Sequence, residues 1–256
     1  EEIAEEPTLG TILNRLGMTL QLFGKLEEGL HFLERYLIDV QERGDRQGKG
    51  TALNNISQIH KARGDYDQAL VYLEKSLEIM QQIGNRKGES ATLNNLATIA
   101  HAKGDYDQAL VYLEKDLEIT QQIGDRKGEG VTLGNISQIY SAKGDYDQAL
   151  VYLEKSLKIM QQIGDRQGEG ATLNNISQIY KARGDYERAL VYLEKSLEIR
   201  QQIGDIKGLA TTLTNMGAIF FEQKQDIPNA VSCFMTAFQI FQKIGSPNAR
   251  APMNYL

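Results

Sequence analysis

The chain has 256 residues, 41% of them hydrophobic and 24% charged, with a single cysteine and a formal net charge of −6. This is the composition of a soluble, folded protein. It lacks any apolar run near the roughly 18 residues that would span a bilayer, and its acidic start, EEIAEEPTLG, is unlike the basic-then-apolar opening of a signal peptide. One cysteine, Cys233, excludes an internal disulfide framework and suits a reducing, cytoplasmic setting. The charge carries little information about partners, because Glu1, Glu2, Glu5 and Glu6 alone supply −4. Residues 45–84 and 125–164 each balance five acids with five bases, which leaves no basic stripe for nucleic acid or a membrane surface.

The chain is organised as six copies of one unit, at 5–44, 45–84, 85–124, 125–164, 165–204 and 205–245, with a tail at 246–256. Four copies are forty residues long and nearly identical, the first is looser, and the last is one residue longer. A period of this size signals stacked supersecondary units that bury their apolar faces on one another. We therefore expect a single elongated domain over 1–245.

Each unit predicts two helices. In the fourth copy Leu133, Ile136, Ser137 and Tyr140 fall at helical spacing, and Lys143-Gly144 ends the first helix. Asp145 then supplies an N-cap, with Gln148 three residues on, and Ala149, Leu153, Leu157 and Met160 form the apolar stripe of the second helix. Gly164-Asp165 repeats the same punctuation. All four prolines, Pro7, Pro228, Pro247 and Pro252, lie outside the regular copies, as expected where a mid-helix proline costs about 3 kcal/mol.

The ends depart from this pattern. In the first copy Leu13, Leu16, Gly17 and Leu20 keep the apolar face, but Arg15 stands where the later copies have asparagine. The last copy holds five of the seven phenylalanines, Phe220, Phe221, Phe234, Phe238 and Phe241. A terminal repeat normally turns a polar face to water. This one predicts a covered apolar surface, through the tail SPNARAPMNYL, a longer parent array, or self-association.

Leu133, Ile136, Ser137, Tyr140, Gly144, Tyr146, Ala149, Leu153 and Ser156 resemble the signature positions of the tetratricopeptide repeat, over Glu5 to Gly245. The signature proline at the end of the second helix is missing, Gln161 standing near it, and forty residues replace the usual thirty-four. The longer form is similar to repeats of kinesin light chains, spindle-orienting polarity adaptors and bacterial multidomain regulators. The resemblance implies an all-α, right-handed superhelical solenoid of six helix-turn-helix repeats, with first helices along its concave face. It also implies a non-enzymatic adaptor that binds an extended peptide or protein segment in that groove. The alternative is a regulatory or sensor arm of a larger bacterial signalling protein or enzyme.

Comparing the near-identical copies locates the candidate site. Thirteen of the first twenty columns vary among the four copies, against five of the second twenty, so divergence concentrates on the first helix. Among the polar side chains of the first helix, one column never changes from the second copy to the sixth: Asn55, Asn95, Asn135, Asn175 and Asn215. Around it lie Asn54, Gln58 and Lys61 in the second copy, Asn94, Thr98 and His101 in the third, Gln138 in the fourth, and Asn174, Gln178 and Lys181 in the fifth, with Arg15 in the first. An asparagine amide offers one acceptor and two donors, so a ladder of them can pair with the C=O and N–H of an extended peptide of any sequence. The resemblance to kinesin light chains and polarity adaptors implies the same use. A competing structural reading is that the asparagines bridge adjacent repeats, and the two roles are compatible.

Other motifs carry less. The segment GDRKGEG at 124–130 superficially looks like a phosphate-binding loop, but no strand precedes it, no Gly-Lys-Ser/Thr follows, and it recurs at every junction as helix punctuation. Arg63-Gly64-Asp65 and Arg183-Gly184-Asp185 are turn residues rather than adhesion tripeptides. His31, His60 and His101 lie in different registers, and His60 occupies the column of Tyr140 and Tyr180, which marks it as a packing residue. No nucleophile-base set, metal-ligand set or cofactor fingerprint is present, so neither catalysis nor a metal nor a cofactor is expected.

Overall fold

A computed structural model describes residues 8–246, 248 and 250–253. The chain is an all-α solenoid of paired helices, and it divides into two compact units, 1–125 and 126–256, of three helix pairs each. The first unit holds α1 (Leu9–Leu22) with α2 (Leu26–Glu42), α3 (Arg46–Arg63) with α4 (Tyr66–Gln82), and α5 (Arg86–Ala102) with α6 (Tyr106–Gln122). The second holds α7 (Arg126–Ala142) with α8 (Tyr146–Gln162), α9 (Arg166–Ala182) with α10 (Tyr186–Ile203), and α11 (Ile206–Ile219) with α12 (Ile227–Lys243). A short α13 (Arg250–Met253) packs on α12.

The helix boundaries follow the residues that mark them. Asp145 accepts the backbone N–H of Gln148 and opens α8, and Asp65, Asp105 and Asp185 do the same for α4, α6 and α10. Each such cap satisfies one of the orphan N–H groups of a helix start and is worth about 1 kcal/mol. The preceding Gly144 has φ +80°, a left-handed conformation in which a side chain would be strained. The one exception to glycine there is informative. In the last repeat the extra residue is absorbed as a π-helical turn, Phe220–Lys224, and Gln225 takes φ +50° in its place.

Packing repeats with the sequence. Ala69, Ala109, Ala149 and Ala189 are fully buried, small enough for paired helices to approach closely. Within pairs, Ser76 Oγ donates to the Gly50 carbonyl at 2.8 Å, Ser156 to Gly130 at 2.7 Å and Ser196 to Gly170 at 2.8 Å, so a buried hydroxyl ties α4, α8 and α10 to their first helices. Successive pairs share apolar clusters. Leu33 of α2 packs with Ile56 and Ile59 of α3, and Leu153 of α8 with Ile176 and Ile179 of α9. His60 stacks on Tyr72 at 5.2 Å, as Tyr140 does on Tyr152 and Tyr180 on Tyr192, the packing role its column predicts.

The ends differ in part from expectation. Leu16 is 42% exposed, although Ile56, forty residues on, is fully buried. Ile56 is covered by Leu33 of the preceding pair, and α1 has no described pair before it. The phenylalanines of the last repeat largely serve its own packing instead of an open apolar face: Phe234 and Phe241 are buried, Phe220 and Phe238 half-buried, and Phe221 exposed. Phe234 stands in the column of Leu33, Leu73 and Leu193, and its larger ring is accommodated by Gly217, which replaces the serine or alanine of the regular copies. Of the tail SPNARAPMNYL, positions 247, 249 and 254–256 lie outside the described residues.

Candidate functional site: the asparagine column of the first helices

The unchanged column lies on one face of the first helices, half-buried at Asn55 and Asn95 in the first unit and at Asn135, Asn175 and Asn215 in the second. Ile56, Ile136 and Ile176, one residue on, are buried, which fixes the rotation of each helix and leaves the asparagine at the margin of the core.

The amides are used laterally. Asn55 Nδ2 donates to Asn14 Oδ1 at 2.8 Å and Asn95 Nδ2 to Asn54 Oδ1 at 2.9 Å, and in the second unit Asn215 Nδ2 donates to Asn174 Oδ1 at 2.9 Å. Each bond spans 41 positions, one full repeat plus one residue, so the column bridges neighbouring first helices. Each donor asparagine keeps its Oδ1 and a second N–H beyond the bridge. Asn14 belongs to this network and is absent from the sequence-derived set. It sits beside Arg15, one residue before the unchanged column, and its signal is the spacing of 41 to Asn55.

Asn175 breaks the pattern. Its counterpart 41 positions earlier is Gly134, which has no side chain to accept, and Asn175 makes no side-chain hydrogen bond among the described residues. Asn135 is partnered, and Asn94 donates to Asp116 Oδ2 at 3.2 Å.

The other sequence-derived residues are placed unevenly. Lys181 is committed to Glu222 at 3.0 Å. Lys61 is half-buried without an ion pair to a described residue, and burial lowers its pKa. Thr98 Oγ1 is spent on the Asn94 carbonyl, and Gln58 Nε2 reaches Ser57 Oγ at 3.4 Å. His101 lies with its ring tilted against Tyr106, Gln178 is half-buried, and Gln138 and Arg15 are exposed. Cys233 is half-buried among apolar side chains that push its thiol pKa up, the environment of an inert cysteine.

Among the described residues no group of three or more His, Cys, Asp or Glu side chains could hold a metal ion, and no helix is long and apolar enough to cross a membrane.

Comparison with known proteins follows the same lines. The family model for the tetratricopeptide repeat matches residues 8–82, 88–162 and 132–202. No curated protein sequence matches the chain. Among solved structures, a Rap protein complexed with competence and sporulation factor is similar, with a TM-score of 0.75 at 13% identity over 96% of this chain and 72% of that one. The Rap conjugation gene regulator of plasmid pLS20, solved with the Phr* peptide, gives 0.70 at 12% over 96% and 72%. Nearly identical repeats of a putative kinesin light chain from Podosopora anserina give 0.61 at 18% over 78% and 99%.

Proposed function

The chain belongs to the tetratricopeptide repeat family, and from that premise we propose that it is a non-catalytic interaction module whose asparagine-bearing face binds an extended peptide or protein segment. The observation that carries this reading is the division of labour on the first helices. The asparagine column is constant, and Asn55, Asn95 and Asn215 retain polar capacity beyond their lateral bonds, while the polar columns around it change from copy to copy.

The remaining acceptor and donor of Asn55, Asn95 and Asn215 suit the N–H and C=O of a peptide backbone, and the variable neighbours suit its side chains. Each such bond contributes about 0.5–1.5 kcal/mol net, so affinity has to come from several repeats acting together. Lys61, without a counter-ion among the described residues, favours an acidic group on the ligand near the second repeat. Support from structure also comes from the Rap relatives, two of which were solved with the competence and sporulation factor and with the Phr* peptide.

Asn175 gives the cleanest test, because its side chain has no hydrogen bond to lose among the described residues. A peptide selected from a random display library on the whole chain is measured by fluorescence anisotropy against Asn175→Ala and against Asn95→Ala/Asn135→Ala/Asn175→Ala. A loss of about tenfold or more in the triple variant, with its helical circular dichroism intact, is the expected result. Unchanged affinity would exclude this face.

A further inference from the structure

A second candidate site lies off the asparagine face. In the first unit α2, α3 and α4 line a half-open cavity of about 640 Å³, to which none of the sixteen residues considered above contributes. The same cavity recurs 120 positions later between α8, α9 and α10, at about 350 Å³. Gln41 corresponds to Gln161, Arg46 to Arg166, Lys75 to Lys195 and Glu78 to Glu198, but Lys49 stands against Glu169.

That one difference removes an internal ligand. Glu169 is buried, with one carboxylate oxygen accepting Arg166 Nη1 at 2.5 Å and the other Gln161 Nε2 at 3.0 Å. Glu89 is gripped in the same way by Arg86 at 2.6 Å and Gln81 at 3.1 Å. The arginine and glutamine of this cavity are therefore arranged to hold one carboxylate from two sides. Where Lys49 replaces the glutamate, the Gln41 side chain has no partner among the described residues, and Arg46 keeps only the Nη2 bond to Gln82 that Arg86, Arg126 and Arg166 also make to Gln122, Gln162 and Gln202, its Nη1 having no carboxylate partner among the described residues. Lys49 itself is half-buried and forms no ion pair to a described residue. The cavity then holds Arg46, Lys49 and Lys75 against Glu78 alone, whose carboxylate already accepts Gln82 Nε2 at 2.9 Å. Its counterpart balances Arg166 and Lys195 with Glu169 and Glu198.

We propose that the cavity between α2, α3 and α4 is an anion site that takes a carboxylate ligand, with Arg46 and Gln41 gripping the carboxylate as their counterparts grip Glu169. The excess of two positive charges matches a dicarboxylate. The site is independent of peptide binding by the asparagine face.

The test uses the whole chain, observed by backbone amide NMR, with glutarate as probe against sodium chloride at equal ionic strength and inorganic phosphate in parallel. Glutarate is expected to give saturable shifts confined to the helices around Arg46, Lys49 and Lys75. Lys49→Glu, which installs the residue already native at 89, 129 and 169, is expected to weaken binding by about tenfold or more. Glu169→Lys is expected to add a second saturable site around Arg166 and Lys195. Should that variant fail to fold, Lys49→Glu decides alone. Shifts that merely follow ionic strength, or that persist in Lys49→Glu, overturn the site, and phosphate binding tighter than glutarate overturns its assignment to carboxylates.

Discussion

Gly134→Asn tests whether the asparagine column is a set of real bonds. At this position the other near-identical copies place Asn54, Asn94 and Asn174, and an added Cβ would meet only Ser156 Oγ, at 4.0 Å, so the first side-chain atom fits without displacement. Two terms favour it. Replacing a mid-helix glycine with asparagine recovers about 0.3 kcal/mol of helix propensity. A new bond from Asn175 Nδ2, built like that of Asn215 to Asn174 at 2.9 Å, adds about 0.5–1.5 kcal/mol, less what is lost in ordering the new side chain. The expected net gain is about 1 kcal/mol. The assay is urea denaturation followed by far-ultraviolet circular dichroism, on the parent, Gly134→Asn, Asn175→Ala and the double variant. The bond appears as coupling: in the Asn175→Ala background only the propensity gain of about 0.3 kcal/mol should remain. Equal gains in both backgrounds, or a loss of stability from Gly134→Asn in the parent, would refute the bridging role.

Three further outcomes are expected. Gly217→Ala places a Cβ 2.7 Å from Cε1 of the fully buried Phe234, so overpacking of about 1–3 kcal/mol should outweigh the roughly 1 kcal/mol of helix propensity gained; Phe234→Leu, the residue of the regular copies, should rescue the melting temperature. Gln225→Gly relieves a non-glycine residue at φ +50° and should stabilise by about 1 kcal/mol, and an unchanged urea midpoint would count against strain there. Asp165→Asn should preserve the cap, as Asn85 does by accepting the Gly88 N–H at 2.9 Å, while removing the ion pair with Lys127 at 2.8 Å. The bond from Lys127, with the Gly168 N–H, holds the Asp165 pKa below its ordinary value. Its contribution is therefore fully present above about pH 4 and lost as pH falls through the lower folded value. The stability difference between parent and Asp165→Asn should accordingly be constant near neutrality and shrink in acid, and urea midpoints from pH 7 to pH 2 measure it.

Much of the fold was legible before any coordinates. Gly144-Asp145 announces a stop and a start because left-handed backbone and N-capping are local chemistry, decided within a few residues. Leu133, Ile136 and Ser137 announce a buried face because helical spacing alone puts them together, and all three are buried. Leu16 carries the same local pattern and is exposed, since burial of that column depends on the preceding pair. The last repeat shows a related limit: composition counts phenylalanines, and only packing shows Phe234 spent against Gly217.

For the candidate sites the division is sharper. The sequence by itself determined the repeat, the helix pairs, their caps and the constancy of Asn55, Asn95, Asn135, Asn175 and Asn215. The tertiary structure decided how those amides are used, drew in Asn14, left Asn175 opposite Gly134, and put Lys49 in the place of a gripped carboxylate. The physical reason is that a side chain's donors and acceptors are allocated between helices, across a spacing of 41 residues that no single helix contains, so identical residues acquire different partners once the repeats are stacked.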